Sequence, residues 1–122
     1  PVADSFLTHD AYRFQLRANP TMRRNADRRR LGIYGEDRLR EWMKRKADQH
    51  GFEILADSLV VGAPIDETFV RDRKRGKHVA VDFGGMLEVR DRAAFIHAFE
   101  AGIGSAKAFG FGLLMLRAVG ET

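Results

Sequence analysis

The chain has 122 residues, 44% of them hydrophobic and 31% charged, and no cysteine. That length suits one domain able to bury its own core, and the missing cysteines exclude disulfides and thiolate metal sites. There is no signal-peptide pattern and no apolar run near the length of a membrane span, so no membrane partner and a cytoplasmic home are expected. Because the first residue is Pro1 rather than methionine, a fragment or processed piece is expected. The net charge of +4 is unevenly spread: Arg13, Arg17, Arg23, Arg24, Arg28, Arg29 and Arg30 stand against Asp27 alone, and Arg71, Arg73, Lys74, Arg75 and Lys77 against Asp72. Two concentrated basic segments on a small domain are the electrostatic footprint of a polyanion binder, and a pair of solvated loops is the competing reading.

In chain order, "AYRFQLRA" alternates Tyr12, Phe14 and Leu16 with Arg13, Gln15 and Arg17, the pattern of a half-buried strand. Asn19-Pro20 ends it. After the arginine-rich loop, "GEDRLREWMKRKADQHG" places Leu39, Trp42, Met43 and Ala47 on one helical face and stops at Gly51. "FEILADSLVV" reads as a strand with Phe52, Ile54 and Ala56 facing one way. "ETFVRDRKRGKHVAVDF" reads as two extended runs joined by a basic tip around Gly76, and Gly84-Gly85 as a two-residue turn into "MLEV". Asp91 is a predicted N-cap for a second helix with Phe95, Ile96 and Phe99 inward, and "FGLLMLRAV" is a predicted final buried strand. The order is α+β and ferredoxin-like (RRM-like): a βαββαβ antiparallel sheet with two helices, an inserted basic hairpin and a C-terminal glycine-rich loop.

That loop sets Gly102, Gly104, Gly110 and Gly112 around a single Lys107. Four clustered glycines need a steric reason, either positive φ or close backbone approach. Two familiar phosphate loops fail on spacing: a dinucleotide fingerprint needs glycine where Lys107 stands, and a Walker loop needs one at Ala106. The four histidines are His9, His50, His78 and His97, and none has a metal-ligand neighbour at helical or hairpin spacing. No catalytic residue, metal or cofactor is therefore assigned. His78 is set apart by adjoining the basic hairpin. Phe109 and Phe111 flank Gly110 and could stack on a base, though core packing is expected of at least one.

"FQLRANPTMRR" and "GIGSAKAFGFGLLML" resemble the C-terminal half of the CasE family, the Cascade subunit and pre-crRNA endoribonuclease of type I-E CRISPR systems within the RAMP superfamily. The loop is similar to the family pattern G-I/V-G-x-A/G-K-x-x-G-x-G-L-L; Ser105 stands where proline is common, a departure that would loosen it. The resemblance implies tandem ferredoxin-like domains, with residues 1–10 a leader from a preceding domain or linker and 11–122 the C-terminal RNA-binding domain. It implies metal-independent cleavage by a histidine and a tyrosine of the first domain, at the 3′ base of a repeat hairpin, leaving a 2′,3′-cyclic phosphate and a retained product. The implied partners are the crRNA repeat hairpin, the N-terminal domain of the same protein and other Cascade subunits. Arg73, Lys74 and Arg75, by match to the family's basic hairpin, would contact the RNA stem, with Arg30 and Lys107 as further candidates. A RAMP-type structural subunit that binds RNA without cutting is the alternative. A small-molecule phosphate module is disfavoured, since a small ligand needs no two separated arginine clusters.

Overall fold

The structure is a computed structural model and describes residues 9–23 and 30–119; Arg24, Arg28 and Arg29 of the arginine run lie outside the described residues. Strand β1 (Ala11–Ala18) follows its alternation, with Tyr12, Phe14 and Leu16 buried and Arg13, Gln15 and Arg17 exposed. Among the described residues, strands β2 (Thr21–Arg23) and β3 (Arg30–Gly32) pair with each other in a small separate ribbon. Helix α1 (Glu36–Gln49) buries Leu39, Trp42, Met43 and Ala47, the expected face, and carries Glu36 and Asp37 in its first turn, where the helix dipole favours anions.

Four local expectations are corrected beyond α1, the last of them at the final strand. The single strand predicted over "FEILADSLVV" is divided into β4 (Phe52–Ile54), a 3₁₀ turn (Ala56–Ser58) and β5 (Val60–Val61). Ser58 explains the break: its hydroxyl donates to Leu55 O (2.6 Å) and accepts from Met86 N–H (2.9 Å), replacing a backbone rung against the neighbouring strand. Gly84-Gly85 is therefore no turn. Strand β7 (Lys74–Val89) runs straight through it, pairing Gly84 and Gly85 with Gln15 and Phe14 of β1. A Cβ on Gly85 would lie 2.9 Å from Ser58 O, so this glycine makes room for the serine turn. The basic tip also moves. Strand β6 (Ile65–Arg71) pairs with β7 down to Arg71↔Lys74, which leaves Asp72-Arg73 as the two-residue turn and puts Gly76 within the strand.

Helix α2 (Arg92–Ala101) is capped as expected, Asp91 accepting from Ala94 N–H (3.2 Å), with Phe95 buried and Ile96 and Phe99 half-buried. Strand β8 (Leu114–Ala118) is not the fully buried strand predicted. It closes the end of the sheet beside β1, where only one of its faces meets the core, and Leu113 and Met115 are 63% and 58% exposed. The main sheet runs β4-β7-β1-β8, antiparallel throughout, which is the ferredoxin-like order. Leu16 faces Phe83 and Tyr12 faces Leu87 across the ladder, so β1 and β7 bury one common face. Both helices pack there: Trp42 of α1 stacks on Phe83 and Phe95 of α2 on Tyr12, each at 5.5 Å between centroids. The opposite face, with Arg13, Gln15 and Arg17, is left outward.

Candidate nucleic-acid interface

The β6–β7 hairpin is built on the two-residue period of paired strands. Register places Phe69 opposite Gly76 and Glu67 opposite His78 on one face, and Val70 opposite Arg75 and Thr68 opposite Lys77 on the other. At the tip, Asp72 and Arg73 have φ of 53° and 65°, the left-handed backbone that a tight hairpin turn demands at both central positions. Arginine is a poor occupant of that region, which costs an L-residue roughly 1–2 kcal/mol. An arginine held where glycine or asparagine would be easier is a feature to be explained by what the side chain does. Arg73 and Arg75 are exposed, and Lys77 lies 3.4 Å from Asp66 as a half-exposed pair. Lys74 opens β7, and Arg30 opens β3 opposite Arg23.

The other face of the hairpin meets the glycine-rich loop through rings. Phe69 stacks on His78 (4.4 Å between centroids, 16° between planes), and Phe109 of the loop lies 4.6 Å from both. Phe111 closes the cluster edge-on to His78 at 5.5 Å and is buried, whereas Phe109 is 37% exposed. Burial pushes the His78 imidazole below its ordinary pKa, and Glu67 opposes that shift only in part. A Cβ on Gly76 would fall 2.2 Å from the Phe69 ring, so the glycine lets the ring lie flat across the strand. Arg17 of β1 adds an ion pair to Glu67.

All four loop glycines have left-handed φ, 89° at Gly102, Gly104 and Gly110 and 90° at Gly112. Gly102 N–H closes α2 on Ala98 O (2.8 Å), Ile103 N–H donates to Gly112 O (2.9 Å), and Gly112 N–H donates to Arg17 O (2.8 Å). The loop thus runs from helix to sheet, fastened by backbone bonds to α2 at one end and to β1 at the other. Ser105 fastens it instead of loosening it. Its hydroxyl donates to Asn19, whose O and Oδ1 both lie at 2.9 Å, and buried Asn19 donates through Nδ2 to Val79 O (2.9 Å). The "LRANP" segment, the glycine loop and the root of the hairpin are thereby one hydrogen-bonded unit.

Lys107 is exposed but is not grouped with the hairpin cations by any contact; it lies in electrostatic range of His50 at the C-terminal end of α1. Burial lowers the His50 pKa, and Lys46, Lys107 and His97 lower it further. Sequence reasoning missed the ring cluster. The signal was present in the hairpin, where a phenylalanine opposite a glycine leaves room for a ring, but it required the register. It also missed the outward sheet face, where Arg13 stands opposite Arg117 and Val60, Leu113 and Met115 are exposed. Among the described residues no three or more His, Asp or Glu gather as a metal site, and no helix is long and apolar enough to cross a membrane.

A ferredoxin-like domain bearing a cationic hairpin, locked by rings onto a glycine-rich loop, is the class of protein that this fold and site define. The family described as "CRISPR associated protein" matches residues 1–118, and the chain belongs to it, as a member of the CasE type. It is 34% identical over 112 residues to CRISPR-associated endoribonuclease Cse3 of Thermus thermophilus, covering 84% of this chain and 53% of the relative. It is 33% identical over 114 residues to CRISPR system Cascade subunit CasE of Escherichia coli, covering 84% and 56%. The solved structure of Cse3 bound to 19 nt RNA superposes with a TM-score of 0.81 at 29% identity, over 89% of this chain and 56% of that one. A chain of a CRISPR RNA-guided surveillance complex superposes at 0.74 and 28% identity, over 96% and 64%. The chain spans about half the length of the curated relatives it matches.

Proposed function

We propose that residues 11–122 are the C-terminal RNA-binding domain of a CRISPR RNA-processing endoribonuclease, reached through the leader at residues 1–10. It recognises the stem-loop of the pre-crRNA repeat, holds it for cleavage at its 3′ base, and retains the crRNA within Cascade. The observation that carries this reading is the hairpin, whose one face is packed and whose other face and tip present Arg73, Arg75 and Lys77 to solvent. The major groove of A-form RNA is too deep and narrow for side chains to read bases, so a stem is recognised by shape and phosphates. A projecting two-stranded arm with guanidinium forks suits that task. Lys74, Arg30 and Lys107 are further RNA contacts in this reading. Cleavage is assigned to the preceding domain, and no residue of this chain is given a catalytic role. The exposed Val60, Leu113 and Met115, set among arginines on the open sheet face, support that face as the seat of the preceding domain.

The test is titration of a labelled repeat hairpin at several salt concentrations. Replacing Arg73, Lys74 and Arg75 together with alanine is expected to weaken binding and to lower the slope of log affinity against log salt by about one unit per lost contact. Arg73→Gly is expected to relieve the turn, melting no lower than the parent, while still weakening binding. Unchanged affinity and slope in the triple variant would make the hairpin a solvated loop. A full-length protein that binds the repeat but yields no cut product would favour the non-catalytic structural subunit.

A further inference from the structure

The RNA-binding reading leaves unexplained why the hairpin points its cations one way. Among the described residues strand β6 pairs with β7 alone, and an isolated two-stranded ribbon is marginal in water. The Arg17–Glu67 ion pair is exposed on both sides, and such pairs contribute little. The buried Asn19–Val79 bond holds the root of the hairpin, and Tyr34 reaches Asp66 at its base through an exposed hydrogen bond (3.3 Å); further out, the ring cluster joins β6 (Phe69), β7 (His78) and the glycine-rich loop (Phe109). Phe69, His78 and Phe109 are not among the buried residues of the main core, so core stability does not account for them. Because side chains alternate along a strand, seating Phe69 and His78 on the loop obliges Arg75 and Lys77 to face the opposite way.

We propose that Phe69, His78 and Phe109 are positioning residues for RNA binding, clamping the hairpin on the glycine-rich loop so that Arg73, Arg75 and Lys77 form a preformed cationic face. This inference rests on the RNA-binding reading above and adds what orients the cations. A hairpin held in its binding pose before the RNA arrives has less freedom to lose on association. The left-handed φ at Gly110 (89°) turns the chain away directly after Phe109.

The experiment compares parent, Phe109→Ala and Phe109→Tyr, each with and without Arg75→Ala, in RNA-hairpin titrations across salt, with melting curves alongside. In the parent, Arg75→Ala is expected to lower the salt slope by about one unit. Phe109→Ala alone is expected to lower it by roughly two, since Arg75 and Lys77 lose their fixed orientation together. In that background Arg75→Ala is expected to add little, and Phe109→Tyr, which keeps the ring, is expected to match the parent. Should Phe109→Ala unfold at the assay temperature, Phe109→Leu keeps apolar bulk without the ring and carries the same comparison. Parental affinity and slope in the ringless variant would overturn the proposal, as would an Arg75→Ala effect of equal size in both backgrounds. If Arg75→Ala changes nothing even in the parent, the hairpin's RNA contact itself fails, and this inference falls with it.

Discussion

Alanine at Gly110 and at Gly112 separates the two reasons for glycine in the loop. Both positions have nearly the same φ, 89° and 90°. A left-handed alanine costs roughly 1–2 kcal/mol, and the stiffer unfolded chain returns about 0.4–1 kcal/mol. At Gly110 a Cβ would meet nothing within 4 Å, so the net loss there is backbone strain alone, about 1 kcal/mol. At Gly112 the same atom would fall 2.5 Å from Ile103 O and 3.0 Å from Ile103 N. Ile103 is wholly buried, and moving it opens the bonds Ile103 N–H to Gly112 O and Gly112 N–H to Arg17 O. Counting one unpaired group at about 1–3 kcal/mol for each of the two bonds, on top of the strain, the total is roughly 3–7 kcal/mol. For a chain of this size each kcal/mol moves the thermal midpoint by about 3–6 °C. Gly110→Ala is therefore expected to melt a few degrees early and Gly112→Ala more than about 10 °C early. The assay is thermal unfolding followed by circular dichroism on both variants and the parent. Equal losses at the two positions would refute the assignment of close approach to Gly112.

Three further outcomes follow from single interactions. Asn19→Ala leaves Val79 O without its donor in a buried site and is expected to cost about 1–3 kcal/mol in urea unfolding, against no loss if the amide were dispensable. His50 and His78 have pKa values lowered chiefly by burial, so the unfolded chain takes up protons first, near pH 6.5. Their contribution is complete above that pH and is lost as pH falls through the folded values; the urea midpoint should drop on acidification and drop less in His78→Gln, and a rising midpoint would contradict this. Lys107→Ala is expected to change stability by no more than about 0.5 kcal/mol, to raise the His50 pKa seen by NMR because a like charge is removed, and to weaken hairpin-RNA binding. An unmoved His50 would place Lys107 elsewhere.

What the sequence by itself determined is local and periodic. The alternation of β1, the buried stripe Leu39, Trp42, Met43 and Ala47, the Asp91 cap and the ferredoxin-like order of elements were all legible, because each depends on spacing along a few turns of chain. The family pattern was legible for a related reason: left-handed φ restricts residue type position by position, so four glycines leave a mark in the sequence itself. Register was not legible. Gly84-Gly85 carries the same letters as a hairpin turn, and only Ser58 packed beside it and β1 paired across it keep β7 extended. Gly76 likewise looked like a tip until pairing set it beneath Phe69 and moved the turn to Asp72-Arg73. The ring cluster joins residues of three separate segments, and the Asn19–Ser105 bond spans 86 residues. Such contacts depend on which strand edges meet, and composition and periodicity carry no record of that. The tertiary structure alone decided which face of the hairpin packs and which is left to solvent.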